Sequence, residues 1–190
     1  GSARCYYRNQ NEKGSVILMD TEELDADFFR FVRISNYLEK KGVNVPQIHC
    51  IDENSSQMLI EDLGDNTLLQ VVQNDRDQIK IVYPIVLDSL AQLQKSSLED
   101  ESVHGDVQLN QALENRNFGL LDIRWETEYF SDEFLSGYLG VKPNLIEDLI
   151  PYFDELANKV SDHSRGFMHR DFQSQNLMIK DFRLFQIDFQ

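Results

Sequence analysis

The sequence predicts an α+β fold with two lobes, of which the first is built on a small antiparallel sheet and the second is mostly helical. Up to Glu61, short runs rich in aromatic and β-branched residues alternate with polar turns, a pattern typical of antiparallel strands. After Gly64 the apolar residues recur about every 3.6 positions, as in amphipathic helices. The change of pattern places the lobe boundary near residue 62, with residues 1–62 in the first lobe and 63–190 in the second.

The first lobe is expected to contain one helix between two pairs of strands. The helix carries apolar residues on one face and ends with Lys40 and Lys41 before Gly42, where cations interact favourably with the helix dipole. A polar segment that contains glycine separates the first two strands, as in a hairpin. The expected strands cover residues 4–9, 15–19, 47–51 and 57–60, and the expected helix covers 25–41.

The second lobe is expected to hold three helices followed by two short strands. Asp75 can cap the first helix, and Pro84 inside it should kink the helix or shift its start. Pro143 suits the first turn of the third helix. The polar residues 96–118 are interpreted as a loop. The expected helices cover residues 75–94, 125–139 and 143–160, and the expected strands cover 177–179 and 184–187.

Composition argues against two kinds of partner. The chain of 190 residues has 33 acidic and 18 basic side chains and a formal charge of −15, so no basic stripe is left to bind nucleic acid. No stretch approaches the roughly 20 apolar residues that a membrane helix needs.

Cys5 and Cys50 lack the spacing of a zinc site or a disulfide framework, so a reducing cytoplasm is the expected compartment. The sequence gives no prediction of oligomeric state.

Three oxygen-bearing side chains stand near the end of the chain with a distinctive spacing. In residues 168–190, MHRDFQSQNLMIKDFRLFQIDFQ, Asn176 follows Asp171 by five positions and Asp188 follows Asn176 by twelve. The short apolar runs between them predict strands that bring the three side chains to one cleft. Phosphoryl transfer from ATP needs a carboxylate near the attacking hydroxyl and hard oxygen ligands for Mg²⁺, and this set supplies both. An ordinary turn rich in Asp and Asn is the alternative interpretation.

These motifs resemble those of the protein-kinase-like phosphotransferases, and within them the aminoglycoside/choline kinase group. The triplet at 169–171 followed by Asn176 has the catalytic-loop spacing H-R-D-x-x-x-x-N, and IDF at 187–189 stands where protein kinases have D-F-G. More narrowly, RCYYR…SVILMD, LIEDLGD, HRDFQSQNLMI and IDFQ resemble segments of bacterial kinases that phosphorylate N-acetylmuramate and N-acetylglucosamine at the anomeric hydroxyl.

The resemblance implies a two-lobed protein-kinase-like fold, with residues 1–62 as the nucleotide-binding lobe and 63–190 as part of the catalytic lobe. Kinases of this kind continue well past the metal-binding Asp, so the catalytic lobe is expected to be truncated and the chain to be a fragment or only the ordered part of the protein.

The resemblance also implies a role for each residue of the catalytic segment. Asp171 would orient or deprotonate the acceptor hydroxyl, and Asn176 and Asp188 would bind Mg²⁺. His169 would support the loop as a buried residue rather than act directly in catalysis. Arg170, beside the catalytic carboxylate, would either belong to the catalytic group or form a local ion pair.

The nucleotide is expected at a hinge between the lobes. Backbone groups of Glu61 and Leu63 would face adenine, and Gly64 would permit a sharp exit into the larger lobe. A solvated acidic turn after an edge strand is the alternative interpretation of this segment.

The phosphate-binding part departs from the family pattern. A G-x-G-x-x-G loop is missing, and Met19 stands where the usual strand lysine is expected. Another cation must then offset the triphosphate charge, and Arg8 is preferred over Arg4 for this role, with solvated arginines as the alternative. The missing lysine also leaves open a nucleotide-binding pseudokinase that acts as an interaction module.

Acceptor recognition is expected near Trp125, Glu126 and Glu128, because an aromatic face and carboxylates suit the C–H faces and hydroxyls of a sugar. Packing is the alternative role of Trp125. The predicted function is ATP- and Mg²⁺-dependent phosphorylation of a small-molecule hydroxyl, with an amino sugar favoured over an aminoglycoside or choline.

Overall fold

The computed structural model describes residues 4–12, 14–21, 26–98, 119–161 and 167–189. The chain forms two compact units, one of residues 1–113 and 166–190 and the other of residues 114–165. The first unit combines a sheet, a hairpin and helices, and the second is helical. The predicted α+β class is confirmed, while the lobe boundary near residue 62 lies inside the first unit and stays a prediction.

The first unit is built on a four-stranded antiparallel sheet with the order β1-β2-β4-β3. Its strands, all four predicted, are β1 (Arg4–Asn11), β2 (Gly14–Thr21), β3 (Ile48–Asp52) and β4 (Gln57–Glu61). Residues directly opposite each other on neighbouring strands share a face of the sheet. The register therefore places on one face Arg4, Tyr6 and Arg8 of β1 and their partners Thr21, Met19 and Ile17 of β2.

Helix α1 (Ala26–Lys40) packs against this face of the sheet. Its apolar side chains and Met19 belong to one buried core, in which each fully buried side chain contributes about 1.5–3 kcal/mol. The helix ends before Gly42, whose φ of 76° is left-handed and suits glycine. The largest fully buried members of this core are Phe28, Phe189, Met19, Ile34, Leu38, Met58 and Leu93.

A short helix that the sequence analysis did not predict, α2 (Leu68–Asn74), follows β4. Thr67 and Gln70 cap it reciprocally, since Gln70 N donates to Thr67 Oγ1 at 3.1 Å and Thr67 N donates to Gln70 Oε1 at 3.0 Å. The T-x-x-Q spacing was the available signal for this helix.

The long helix α3 (Ile79–Leu98) begins after a 3-10 turn, Arg76–Gln78. Asp75 caps that turn by accepting a hydrogen bond from Asp77 N at 3.0 Å. The α-helix therefore starts at Ile79 rather than at residue 75, because the 3-10 turn precedes it, and it continues through Pro84. Among the helices in the described ranges, none is both long and apolar enough to cross a membrane.

The first unit ends in a hairpin of β5 (Leu177–Lys180) and β6 (Arg183–Gln186), close to the two predicted strands. Asp181 and Phe182 form its two-residue turn with φ values of 50° and 57°, as a type I′ turn requires. The hairpin packs on α2 and α3 through a second core of Leu68, Val82, Val86, Leu177 and Leu184.

The second unit consists of helical segments only, in the part that the structure describes. The helix predicted over 143–160 is divided in two, because Pro151 lacks an N–H and its ring clashes with the preceding turn. The predicted loop 96–118 lies mostly outside the described residues, although α3 extends to Leu98. The helix predicted over 125–139 starts earlier, at Leu120, and its second half is a π-helix. The segments of this unit are the α-helices Leu120–Tyr129, Pro143–Glu147 and Ile150–Ser161 and the π-helix Phe130–Tyr138.

Candidate active site

A tight loop before β5 holds the first two predicted site residues together. The Asp171 carbonyl accepts hydrogen bonds from Gln173 N at 2.8 Å and from Asn176 Nδ2 at 3.1 Å. Leu69 N, at the start of α2, donates to Ser174 O at 3.0 Å and anchors the loop from outside. The loop therefore fixes the spacing between Asp171 and Asn176.

The hairpin brings Asp188 to the same loop. Strands β5 and β6 pair Leu177 with Gln186, and just beyond this pair Ile187 N donates to Asn176 O at 3.0 Å. Asp188 therefore follows directly after the residue that is bonded to Asn176. The structure thus collects Asp171, Asn176 and Asp188 on one loop and one hairpin.

Outside the hairpin turn, two residues of this assembly have left-handed backbones. Arg170 has a φ of 69° and Asp188 a φ of 57°. Such conformations cost a non-glycine residue roughly 1–3 kcal/mol and persist where the surrounding structure dictates them, often at functional sites. The left-handed backbone at Arg170 and Asp188 is therefore consistent with a functional site at this loop and hairpin.

His169 is buried, with 2% of its surface exposed, and its ring meets Phe172 edge-on at a centroid distance of 5.7 Å. Burial lowers the pKa of His169, and the backbone at His169 and Ile187 and the carboxylates of Asp188 and Asp171 oppose this shift without reversing it. A neutral imidazole enclosed in this way suits a residue that supports the loop.

The donor set fits a Mg²⁺ ion held together with a nucleotide. Asn176 and Asp188 offer an amide oxygen and a carboxylate, the hard ligands that Mg²⁺ takes beside phosphate oxygens. The Asn176 amide uses its nitrogen to reach the Asp171 carbonyl, which orients the group. Within the described ranges, no three His, Cys, Asp or Glu side chains form an all-protein metal cage.

The segment 61–65, called the hinge below, leaves the sheet at the end of β4. Glu61 N still donates to Gln47 O at 2.8 Å, whereas none of the described residues accepts a hydrogen bond from the Leu63 amide. The Leu63 side chain is buried in a small core with Met178 and Phe185 of the hairpin. Gly64 then turns the chain with a φ of 77°. The Leu63 N–H is thus the better placed of these two amides for the predicted adenine contact.

Arg8 binds the hinge. Its Nε lies 2.7 Å from Asp62 Oδ2 and its Nη2 lies 3.0 Å from Asp62 Oδ1, which is a bidentate pair. Its Nη1 lies 2.8 Å from Asp65 Oδ1, and its Nη2 also donates to Gly64 O at 3.1 Å. Hydrogen bonds to Asp65 and Asp62 raise the pKa of Arg8. The phosphate contact of Arg8 stays a prediction, since the structure gives this guanidinium hinge partners.

The Asp62 carboxylate is the buried centre of these contacts, with 5% of its side chain exposed. Burial raises the pKa of Asp62, but hydrogen bonds from Gly64 N–H, Ser15 and Arg8 outweigh burial and lower it overall. On the other side of the hinge, Lys180 Nζ donates to Glu61 Oε1 at 2.7 Å and to Asp62 O at 3.0 Å. Asp62 is therefore paired with Arg8, and Glu61 is paired with Lys180.

Arg4 contacts Phe31, which stacks on Phe189, the residue that follows Asp188 in the chain. The Arg4 Cζ lies 5.8 Å from the Phe31 ring centroid, and Phe31 stacks on Phe189 with centroids 5.3 Å apart and planes at 12°. Burial raises the pKa of Tyr6, while Arg4 lowers it and the charge of Asp188 raises it further. Of the two predicted arginines, Arg4 is therefore the one on the Asp188 side of the sheet face.

The position expected for a lysine lies inside the core. Met19 is fully buried, in the same core as Phe28 and Phe31 of α1. The acidic residue in the first turn of α1, Asp27, is paired with Arg30. Apolar packing against α1 and Met58 of β4 explains why methionine occupies this position.

The predicted acceptor residues lie in the second unit. Trp125 stacks on Tyr129, with centroids 5.4 Å apart, and both rings are more than half exposed. Glu126 and Glu128 are also exposed. Trp125 is therefore not a core residue in the described part of the chain, and an acceptor role for the three residues stays a prediction.

Three further residues of the site were not predicted: Tyr6, Asp62 and Lys180. The alternation of Arg4, Tyr6 and Arg8 along one strand was the available signal for Tyr6. For Asp62 and Lys180 no local pattern exists, since Arg8 and Asp62 are 54 residues apart and Lys180 and Glu61 are 119 apart.

The fold and the loop-and-hairpin site define the class of protein: the chain belongs to the phosphotransferase enzyme family, whose sequence pattern matches residues 1–190. Two curated relatives are each an N-acetylmuramate/N-acetylglucosamine kinase. The relative from Pseudomonas aeruginosa is 28% identical over 100% of this chain and 52% of its own length. The relative from Pseudomonas putida is 24% identical over 93% of this chain and 48% of its own length. The predicted family is confirmed, and the chain spans about half the length of the curated relatives it matches.

Proposed function

We propose that this chain carries the nucleotide-binding lobe, residues 1–62, and part of the catalytic lobe, residues 63–190, of a small-molecule kinase that uses ATP and Mg²⁺. The observation that carries the proposal is the assembly of Asp171, Asn176 and Asp188 on one loop and hairpin. Membership of the phosphotransferase family supports the same class of reaction.

Asp171 orients the acceptor hydroxyl and accepts its proton while the γ-phosphoryl group is transferred. Asn176 and Asp188 would hold Mg²⁺, which offsets the phosphate charge when it is bound. Buried His169 supports the loop, and Arg170 keeps the left-handed turn that precedes the catalytic carboxylate. The types of donor atom and the hydrogen bond between Asn176 and the Asp171 carbonyl support this assignment of roles.

The adenine ring is held by backbone groups of Glu61 and Leu63, as the Leu63 amide has no acceptor among the described residues. Arg4 is the preferred cation for the phosphates, because it lies against Phe31, which stacks on Phe189, the residue after Asp188. Arg8 is the second candidate for this contact.

The proposed acceptor is an amino sugar of the N-acetylmuramate/N-acetylglucosamine type, phosphorylated at its anomeric hydroxyl. The names of the two relatives support this acceptor. Exposed Trp125, Glu126 and Glu128 offer an aromatic face and carboxylates of the kind that sugars contact. Aminoglycosides and choline are the alternative acceptors.

One observation favours a candidate from another class. Buried Met19 replaces the usual lysine, as in a pseudokinase that binds nucleotide and acts as an interaction module.

A screen of ATP consumption by the intact protein tests the proposal. We expect ADP release with N-acetylmuramate and N-acetylglucosamine and none with aminoglycosides or choline. Turnover with choline or aminoglycosides, and none with the two amino sugars, would show that the acceptor belongs to one of those classes instead. ATP binding without consumption of ATP, whatever the acceptor, would favour the pseudokinase.

A further inference from the structure

We propose that Arg8 is a positioning residue that holds the hinge in the shape that binds adenine, and this inference rests on the proposed function. The role differs from a phosphate contact, because Arg8 would act through the hinge backbone and not on the triphosphate.

All three nitrogens of the Arg8 guanidinium group contact carboxylates of the hinge. Nε and Nη2 grip the two Asp62 oxygens at 2.7 and 3.0 Å, and Nη1 lies 2.8 Å from Asp65 Oδ1. A planar fork of N–H donors matches a carboxylate in this way, and a lysine ammonium cannot reproduce it. The strand that carries Arg8 is thereby tied to residues 62–65.

The partner carboxylate depends on this pair. The Asp62 side chain is only 5% exposed, and a charge removed from water in this way is strongly unfavourable without a partner. Its Oδ1 atom accepts hydrogen bonds from both Arg8 Nη2 and Gly64 N, the latter at 2.8 Å. Arg8, together with Ser15, therefore positions the Asp62 carboxylate, and the carboxylate in turn holds the Gly64 amide.

The residue between these two contacts is the one expected to bind adenine. Arg8 holds the side chain of Asp62 and also the Gly64 carbonyl at 3.1 Å, so it fixes the hinge on both sides of Leu63. Lys180 holds the Asp62 carbonyl from the hairpin but does not replace the contact to the carboxylate. Loss of the Arg8 side chain should therefore free the backbone that presents the Leu63 amide.

Adenosine separates the two roles, because it makes the adenine contacts but carries no phosphate for a cation to bind. The affinities for adenosine and for Mg·ATP would be measured by calorimetric titration of the intact protein, well below its unfolding temperature. Arg8→Ala should weaken the binding of both ligands by a similar factor, on the order of tenfold. Arg8→Lys should give an intermediate loss, because it keeps the charge without the fork. Lys80→Ala removes one positive charge from an exposed helix position and should change neither affinity.

Asp62→Asn tests the pair from its other side. The variant should weaken adenosine binding by a similar factor. Adding Arg8→Ala to it should cause little further loss of affinity, since the two residues act as one unit. A purely structural pair would lower the unfolding temperature and leave the affinity of the folded protein unchanged.

Two results would overturn the inference: an Arg8→Ala variant that loses ATP affinity but keeps adenosine affinity, which would assign Arg8 to the phosphates, or one that keeps both. A parent protein that binds neither ligand would remove the proposed function itself, and this inference with it.

Discussion

Asn176 donates a side-chain hydrogen bond to the backbone carbonyl of Asp171 at 3.1 Å, so a predicted metal ligand positions the loop of the predicted catalytic carboxylate. The bond closes a turn that also includes the Gln173 amide. Because the bond uses the Asp171 backbone and not its side chain, the carboxylate can change without loss of the turn.

We therefore expect Asp171→Asn to fold normally and to reduce turnover by about 10²–10⁴-fold, the usual contribution of a general base. ATP affinity should stay close to that of the parent, because the carboxylate acts on the acceptor. Steady-state rates and nucleotide titrations of both proteins provide the measurement. Asp181→Asn, in the turn of the hairpin that follows this loop, is the matched control. Equal rates for Asp171→Asn and the parent would remove Asp171 from catalysis.

Asp188→Ala should instead lower the affinity for the nucleotide. Loss of one of two oxygen ligands should weaken Mg·ATP binding and leave binding measured without Mg²⁺ nearly unchanged. Calorimetry with and without Mg²⁺ separates the two quantities. If the variant keeps the full Mg²⁺ dependence of the parent, Asp188 is not a metal ligand.

Met19→Lys should destabilise the first unit and should not restore a phosphate contact. The ammonium group would enter the core shared by Phe28 and Phe31, at a cost of several kcal/mol for an unpaired buried charge. Met19→Leu, which nearly conserves volume, should cost less than about 1.5 kcal/mol. Urea unfolding of the three proteins gives the comparison. A Met19→Lys variant as stable as the parent and with tighter ATP binding would contradict this view of the position.

The hinge should lose stability in acid through Asp62. Burial raises its pKa, but hydrogen bonds from Gly64, Ser15 and Arg8 lower it below the ordinary value of 3.8. A lowered pKa in the folded state means that Asp62 stabilises the protein fully above pH 3.8 and loses this contribution as the pH falls through the lower, folded-state value.

The free energy of unfolding should therefore differ between the parent and Asp62→Asn at neutral pH, and the difference should shrink below pH 3.8. Urea unfolding at a series of pH values measures it. Asp65→Asn, whose side chain is 80% exposed, should show a much smaller difference. A difference for Asp62→Asn that is constant with pH would contradict the role assigned to its carboxylate.

Local patterns were enough to predict the strands and to predict that the segments of Asp171, Asn176 and Asp188 lie together. Asp171, Asn176 and Asp188 lie within one loop and one hairpin, so short-range pattern decides their neighbourhood. The glycine exit at Gly64 is also local, and its φ of 77° agrees with the expected turn.

The environment of the arginines could not be predicted in the same way. Arg8 meets Asp62 across 54 residues, and the contact depends on the pairing of three strands and on the path of the chain after β4. The same holds for Met19, because only the packing of α1 on the sheet shows that this position lies in the apolar core.

Phosphorus NMR of the product tests the central claim most directly. The intact protein would be incubated with Mg·ATP and either N-acetylmuramate or N-acetylglucosamine. The account predicts a new phosphate monoester on the anomeric carbon of the sugar, formed together with ADP. Bound ATP that stays intact, with no phosphorylated sugar formed from either acceptor, would contradict it.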